Sequence, residues 1–290
     1  MGNSPRHRDV AAPGVRLRLP GADGATTYTG EMLRTLSPRP GFVRVSVRKV
    51  FAAIGVAVVA AGASVNLASA TVSAPTPAAA IEPAAGTVVG VAYPLTVTFA
   101  APVRDRQAAE NSLRISSPDT PAGQFSWLGD DVMQWTPDQF WPAHSSISVA
   151  AGGAKTSFET GSSVVGVADI DAHTFTVSVD GEVVREMPAS MGKSKFPTPI
   201  GTFSALSKEP VVVMDSRTIG IPLSDPEGYK LTVYNAIRVT WGGIYVHSAP
   251  WSVGSQGYAN VSHGCINLSP DNAAWYFDNV RVGDPIIVQA

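Results

Sequence analysis

A single cysteine, Cys265, lies within the stretch from Tyr245 to Leu268 (YVHSAPWSVGSQGYANVSHGCINL), which also holds His247 and His263, two of the five histidines in 290 residues. The thiolate is the nucleophilic form of cysteine. An imidazole within reach can take the thiol proton, so a lone Cys among histidines points to nucleophilic catalysis. His247 ends an apolar run, Ile244 to Val246, and the polar, Gly-bearing segment between it and Cys265 can fold back and bring the two together. Ser248 can orient the imidazole through its carbonyl or its hydroxyl, filling the third role of a triad without a carboxylate. In His263-Gly264-Cys265 the glycine lets the backbone bend so that successive N–H groups converge, and such a nest can hold an oxyanion. Acyl transfer through a thioester is the reaction class this implies. His263 either helps to activate the thiol or braces the turn, and Asn267 either braces the loop or binds substrate.

Two histidines and one cysteine would also make a zinc ligand set with an open fourth position. The chain lacks paired Cys-x-x-Cys or His-Glu-x-x-His spacing, and no obvious general-base Glu lies nearby. No metal and no cofactor is therefore expected. The remaining alternative is a buried, inert thiol.

The elements that must position these groups read as β-rich. In the segment from Val164 onward, His173 to Val179 alternates apolar and polar residues, Asp180-Gly181 is a hairpin signal, and Glu182 to Met187 returns. Strands are also expected at Arg238 to Thr240, at Ile244 to Val246 and at Ile286 to Val288. Residues 211–230, punctuated by Gly220, Pro222, Pro226 and Gly228, read as a lid that would shield a thioester from water. One helix is expected, capped by Ser269 with Pro270 in its first turn and running to about Val280. Upstream, Leu95 to Phe99, Arg114 to Ser116, Phe125 to Trp127 and Ile147 to Val149 have the period of short strands with one buried face. They predict a small immunoglobulin-like sandwich without a disulfide. Trp127, Trp135 and Trp141 would fill its core or an inter-domain face, a carbohydrate platform being the other reading. His144 reads as a surface residue without chemistry.

The first 49 residues carry nine Lys/Arg against three Asp/Glu, and residues 50–70 carry no charge and end in Ala68-Ser69-Ala70. That is the pattern of a signal peptide, or of an uncleaved membrane anchor, behind a basic flank. Met32 is an alternative start that would give a tidier leader. Beyond position 70 the balance is 12 basic to 20 acidic residues, a net of −8, which argues against nucleic acid as partner. The expected division is a basic N-region over 1–49, an export segment over 50–70, a linker over 71–80, the Ig-like domain over 81–161 and the catalytic domain over 162–290. The globular part is expected outside the membrane, touching it only through the N-terminal segment.

His247, 14 intervening residues and then Ser262-His263-Gly264-Cys265-Ile266-Asn267 resemble the signature of the L,D-transpeptidase (YkuD-type) catalytic domain, and Thr198-Pro199-x-Gly201-x-Phe203 resembles another mark of that family. The layout of export segment, one Ig-like module and this domain is similar to that of mycobacterial members. The resemblance implies a mainly β fold: an Ig-like β-sandwich followed by a YkuD-type β-sandwich with one helix near the C-terminus. It implies a peptidoglycan cross-linking enzyme that attacks a donor tetrapeptide stem, releases D-Ala and passes the acyl group to a diaminopimelate amine, giving 3→3 links. Carried over by position, Cys265 is the nucleophile, His247 the base and Ser248 its orienting partner through the backbone. The N–H groups of His263, Gly264 and Cys265 would form the oxyanion hole. Tyr229, Gly242, Gly243 and Asn267 match substrate contacts, and Met214 and Trp251 match pocket-lining positions. Carbapenem β-lactams are expected to acylate the thiol. The alternatives are an L,D-carboxypeptidase acting on the same stem and a non-catalytic wall-binding protein.

Overall fold

The computed structural model describes residues 76–290; the basic N-region, Met32, the export segment and residues 71–75 of the expected linker lie outside them. Among the described residues no helix is long and apolar enough to cross a membrane.

The first module consists of β1 (Ala78–Glu82), β2 (Val88–Val89), β3 (Leu95–Phe99), a one-turn helix α1 (Arg106–Glu110), β4 (Arg114–Ser116), β5 (Gly123–Trp127), β6 (Val132–Pro137), β7 (Ser146–Ala151) and β8 (Ala154–Thr160). Its two four-stranded sheets are ordered β1-β3-β6-β5 and β2-β8-β7-β4. Alternation builds them: Leu95, Val97 and Phe99 on β3 and Ile147, Val149 and Ala151 on β7 are buried, with more exposed residues between them. Each large apolar side chain so removed from water contributes about 1.5–3 kcal/mol. Trp135 and Trp141 pack as a tilted pair with ring centroids 5.3 Å apart in this core, while Trp127 stacks at its margin on Phe99. The expected linker stops short, because Ala78 to Ala80 already belong to β1. Their low strand propensity is overridden by the antiparallel ladder with β3.

The second module consists of β9 (Val164–Asp169), β10 (Thr174–Val179), β11 (Glu182–Pro188), β12 (Gly201–Ser204), β13 (Ser207–Asp215), β14 (Lys230–Arg238), β15 (Tyr245–Ser248), β16 (Ile266–Leu268), α2 (Pro270–Asn279) and β17 (Pro285–Gln289). A five-stranded sheet, β11-β10-β9-β17-β12, and a four-stranded one, β13-β14-β15-β16, enclose a core that includes Phe175, Met187, Ile237, Ile266, Leu268 and Tyr276. The β10–β11 hairpin turns where the sequence places it, with Asp180 at φ 50° and Gly181 at φ 90°. The Ser269 hydroxyl accepts from the Asn272 N–H and Pro270 opens α2, as its residues predict. Of the strand expected at Arg238 to Thr240 only Arg238 lies in a strand, as the last residue of the longer β14, whose exposed Leu231 and Tyr234 mask its period.

Main chain joins the two modules. Gly90 N–H donates to Val282 O at 2.9 Å and Ala92 N–H to Gly283 O at 2.7 Å. Gly90 is required there, since a Cβ would sit 2.0 Å from Asp284 N. His144, read as a bare surface residue, pairs across the junction with Asp180 at 2.9 Å. Asp284 is fully buried at this seam; its Oδ2 accepts from Arg281 N–H at 2.7 Å, whereas Oδ1 and the buried Tyr276 hydroxyl have no partner among the described residues. Burial pushes the Asp284 carboxyl up to about 7.

Candidate active site

Strands β15 and β16 run parallel, pairing Val246 with Ile266, His247 with Asn267 and Ser248 with Leu268. Side chains alternate along a strand, so Val246, Ile266 and Leu268 enter the core while His247, Cys265 and Asn267 face the opposite side. There they line a cavity of about 270 Å³ together with Met214, Glu227, Tyr229, Trp251 and His263. The two groups singled out by spacing thus meet at one cavity because of strand register.

His247 is buried and its Nδ1 lies 2.8 Å from Ser248 O. A carbonyl only accepts, so Nδ1 carries the proton and Nε2 keeps its lone pair. Of the two roles open to Ser248, the carbonyl is the one used. Desolvation lowers the His247 pKa to about 4, against a smaller upward effect of the Ser248 bond. Burial also pushes the Cys265 thiol up to about 11, although the Tyr245 backbone N–H favours its thiolate. Both groups are therefore neutral at rest. The sulfur lies 3.7 Å from Gly243 O.

The turn carrying the thiol is braced from several sides. Gly264 adopts φ 115°, open to glycine and strained for other residues. Ser262 Oγ donates to Cys265 O at 2.6 Å and accepts from Gly264 N–H at 3.0 Å. The buried Thr198 hydroxyl donates to Gly264 O and accepts from Gly192 N–H, both at 2.8 Å. The expected nest of three free N–H groups is reduced accordingly, because that of Gly264 is already engaged by Ser262. A neighbouring hydroxyl satisfies a buried donor that would otherwise be costly.

Other expected site residues divide. Met214, Tyr229 and Trp251 line the cavity, Trp251 with its ring 6.0 Å from that of His247. Asn267 lines it as well, but its amide donates to Ser252 Oγ at 3.2 Å and so braces the wall. Gly242 and Gly243 lie outside the cavity lining, on the turn before β15. His263 is more than a turn residue: its Nε2 meets Glu227 Oε2 at 2.9 Å, and its ring sits between Phe196 and Tyr229. Glu227 and Lys193 escaped the sequence reading. A carboxylate inside a Pro- and Gly-rich loop carries no periodicity, and only the fold shows that the loop reaches the thiol turn.

Comparison with known proteins accounts for both modules. Residues 163–288 match the L,D-transpeptidase catalytic domain and residues 46–155 a bacterial Ig domain. L,D-transpeptidase 1 of Mycobacterium tuberculosis is 57% identical over 245 residues, covering 83% of this chain and 98% of that protein. A solved L,D-transpeptidase from Mycobacterium smegmatis superposes with a TM-score of 0.72 at 78% identity, over 74% of this chain and 100% of the other. A solved L,D-transpeptidase in complex with imipenem gives 0.71 at 62% identity, over 74% and 99%. The parallel strand pair that brings one thiol and one oriented imidazole to a shared cavity is thus carried by a chain that belongs to the L,D-transpeptidase family.

Proposed function

We propose that this transpeptidase works through a thioester on Cys265, with His247 as general base and Ser248 as its orienting partner through the backbone carbonyl. The observation that carries this reading is the Nδ1–H bond of His247 to Ser248, which leaves Nε2 as an acceptor in the cavity that Cys265 lines. Because thiol and imidazole are neutral at rest, the proton moves from sulfur to Nε2 as sulfur attacks the acyl carbon, and no thiolate needs to be stored. The N–H groups of His263 and Cys265 then receive the oxyanion, with Gly264 shaping the turn. Collapse of the tetrahedral intermediate returns the proton to the leaving amine and leaves an acyl–sulfur bond. An acceptor amine attacks that bond, forms an amide and releases the thiol.

The donor is a peptidoglycan tetrapeptide stem that loses D-Ala, and the acceptor is a diaminopimelate amine on a second stem, giving a 3→3 link. Tyr229, Met214 and Trp251 would contact the donor from the cavity wall, Asn267 would shape it, and Gly242 and Gly243 would meet substrate at its rim. The uncharged run over 50–70 supports export, cleaved or anchored, with the linker and the modules following outside the membrane, and Met32 is an alternative start.

The complex of a relative with imipenem suggests the test. Carbapenems are expected to acylate this chain at Cys265. Intact mass after mixing should show a covalent adduct that disappears in Cys265→Ala, and cross-linked dimers from tetrapeptide stems should disappear with it. An adduct or dimers surviving in that variant would end this reading, and tripeptide without dimers would make the enzyme a carboxypeptidase.

A further inference from the structure

A charged contact that acyl transfer at Cys265 does not itself require closes the loop between β13 and β14 over the site. Glu227 sends Oε2 to two partners, His263 Nε2 at 2.9 Å and Lys193 Nζ. His263 lies two residues before Cys265, and its ring is wedged between Phe196 at 4.8 Å and Tyr229 at 5.0 Å. Lys193 is itself tied to the same turn, donating its N–H to Ser262 O at 3.1 Å. One carboxylate therefore joins the lid loop, the Lys193–Phe196 turn and the turn that presents the thiol. Among the described residues it is the one carboxylate lining the cavity. The loop is built to deliver it: Asp225 Oδ1 accepts from Glu227 N–H at 2.8 Å, and Gly228 packs where a Cβ would lie 2.4 Å from Pro222 O.

We propose that Glu227 is a positioning residue that holds the lid shut on the acylated thiol and so sets how the acyl group divides between an amine and water. This rests on the reading of Cys265 as the acylated nucleophile. Attack by an amine forms a C–N bond and breaks C–S; attack by water forms C–O and breaks the same bond. In both, the proton of the attacking group passes to His247 and on to sulfur. The ratio of the two products therefore reports access to the thioester, because the protein chemistry is shared.

The test uses the full chain as wild type, E227Q, E227A, E227D and K193M, given a tetrapeptide stem with a diaminopimelate-bearing acceptor. Mass spectrometry reads the ratio of hydrolysed tripeptide to cross-linked dimer, and carbapenem adducts on the same preparations read acylation at Cys265. All variants are expected to acylate. The hydrolysed share should rise roughly three- to tenfold in E227Q and E227A, the reach of one charge-assisted hydrogen bond on a partly exposed loop. It should rise less in K193M, which keeps the His263 contact, and fall back toward wild type in E227D. A purely structural contact would lower Tm without moving this ratio. An unchanged ratio in fully acylated E227Q, which keeps the shape of the side chain even should E227A fail to fold, would overturn the proposal. A wild type that does not acylate would instead remove the nucleophile reading, and this one with it.

Discussion

At the scale of single residues, the site is set by what burial does to two titratable groups. Desolvation favours the neutral form of each, raising the thiol of Cys265 and lowering the imidazole of His247. The free enzyme should accordingly be slow to alkylate. Its iodoacetamide rate should climb with pH toward about 11. At pH 7.5 it should lie roughly 100-fold below that of the unfolded chain, because the folded thiol holds its proton about that much more tightly and only the thiolate reacts. A rate that levels off below pH 8 would contradict a neutral pair. Acylation by substrate should persist on acidification until His247 protonates near 4, because only the neutral imidazole can take the thiol proton. These two residues were legible in the sequence because a strand end, a polar return and a glycine turn lie within one short stretch. Glu227 was not, since its partner His263 lies 36 positions away and neither residue type nor spacing announces the pairing.

At the scale of elements, the thiol turn depends on hydroxyls contributed from outside it. Thr198, at the head of the Thr-Pro-x-Gly-x-Phe run, bridges Gly264 O and Gly192 N–H from a fully enclosed position. Thr198→Val keeps the volume and leaves both groups unpaired, at a cost of about 1–3 kcal/mol each. Thermal unfolding should show a lowered midpoint, and acylation should slow more than Tm alone explains; a variant matching wild type in both would show the bridge to be dispensable. Strand position was readable where one face is buried, as in β3, β7 and β10, and misread where both faces carry apolar residues, as in β14. The parallel pairing of β15 with β16 has a further demand, because a slip of one residue would turn Ile266 toward the cavity and Cys265 into the core.

At the scale of the whole molecule, the seam carries a carboxyl that prefers its proton. Asp284 titrates from 3.8 in the unfolded chain to about 7 in the folded one, with Arg281 and Lys208 as the nearby cations that limit the rise. The native state binds this proton more tightly, so the contribution is fully present below pH 3.8 and is lost as pH rises to about 7. It amounts to about 4 kcal/mol at most. Asp284→Asn, which keeps an acceptor for Arg281 N–H, should flatten the fall in Tm between pH 5 and 8; an unaltered slope would mean that the carboxyl is already ionised at pH 5. In the sequence Gly283-Asp284-Pro285 reads only as a turn, since nothing local says that another module will cover it. The boundary itself restricts how such chains can be assembled. Gly90 receives the main chain of Gly283 and Asp284, and Gly283 receives Tyr93, each at a separation that leaves no room for a Cβ. Modules that meet through side chains can be exchanged by repacking, but here each one is the mould of the other's backbone. A chimera taking its Ig module from a different parent would need glycine at Gly90 to dock at all, so the two halves are transferable only as a matched pair.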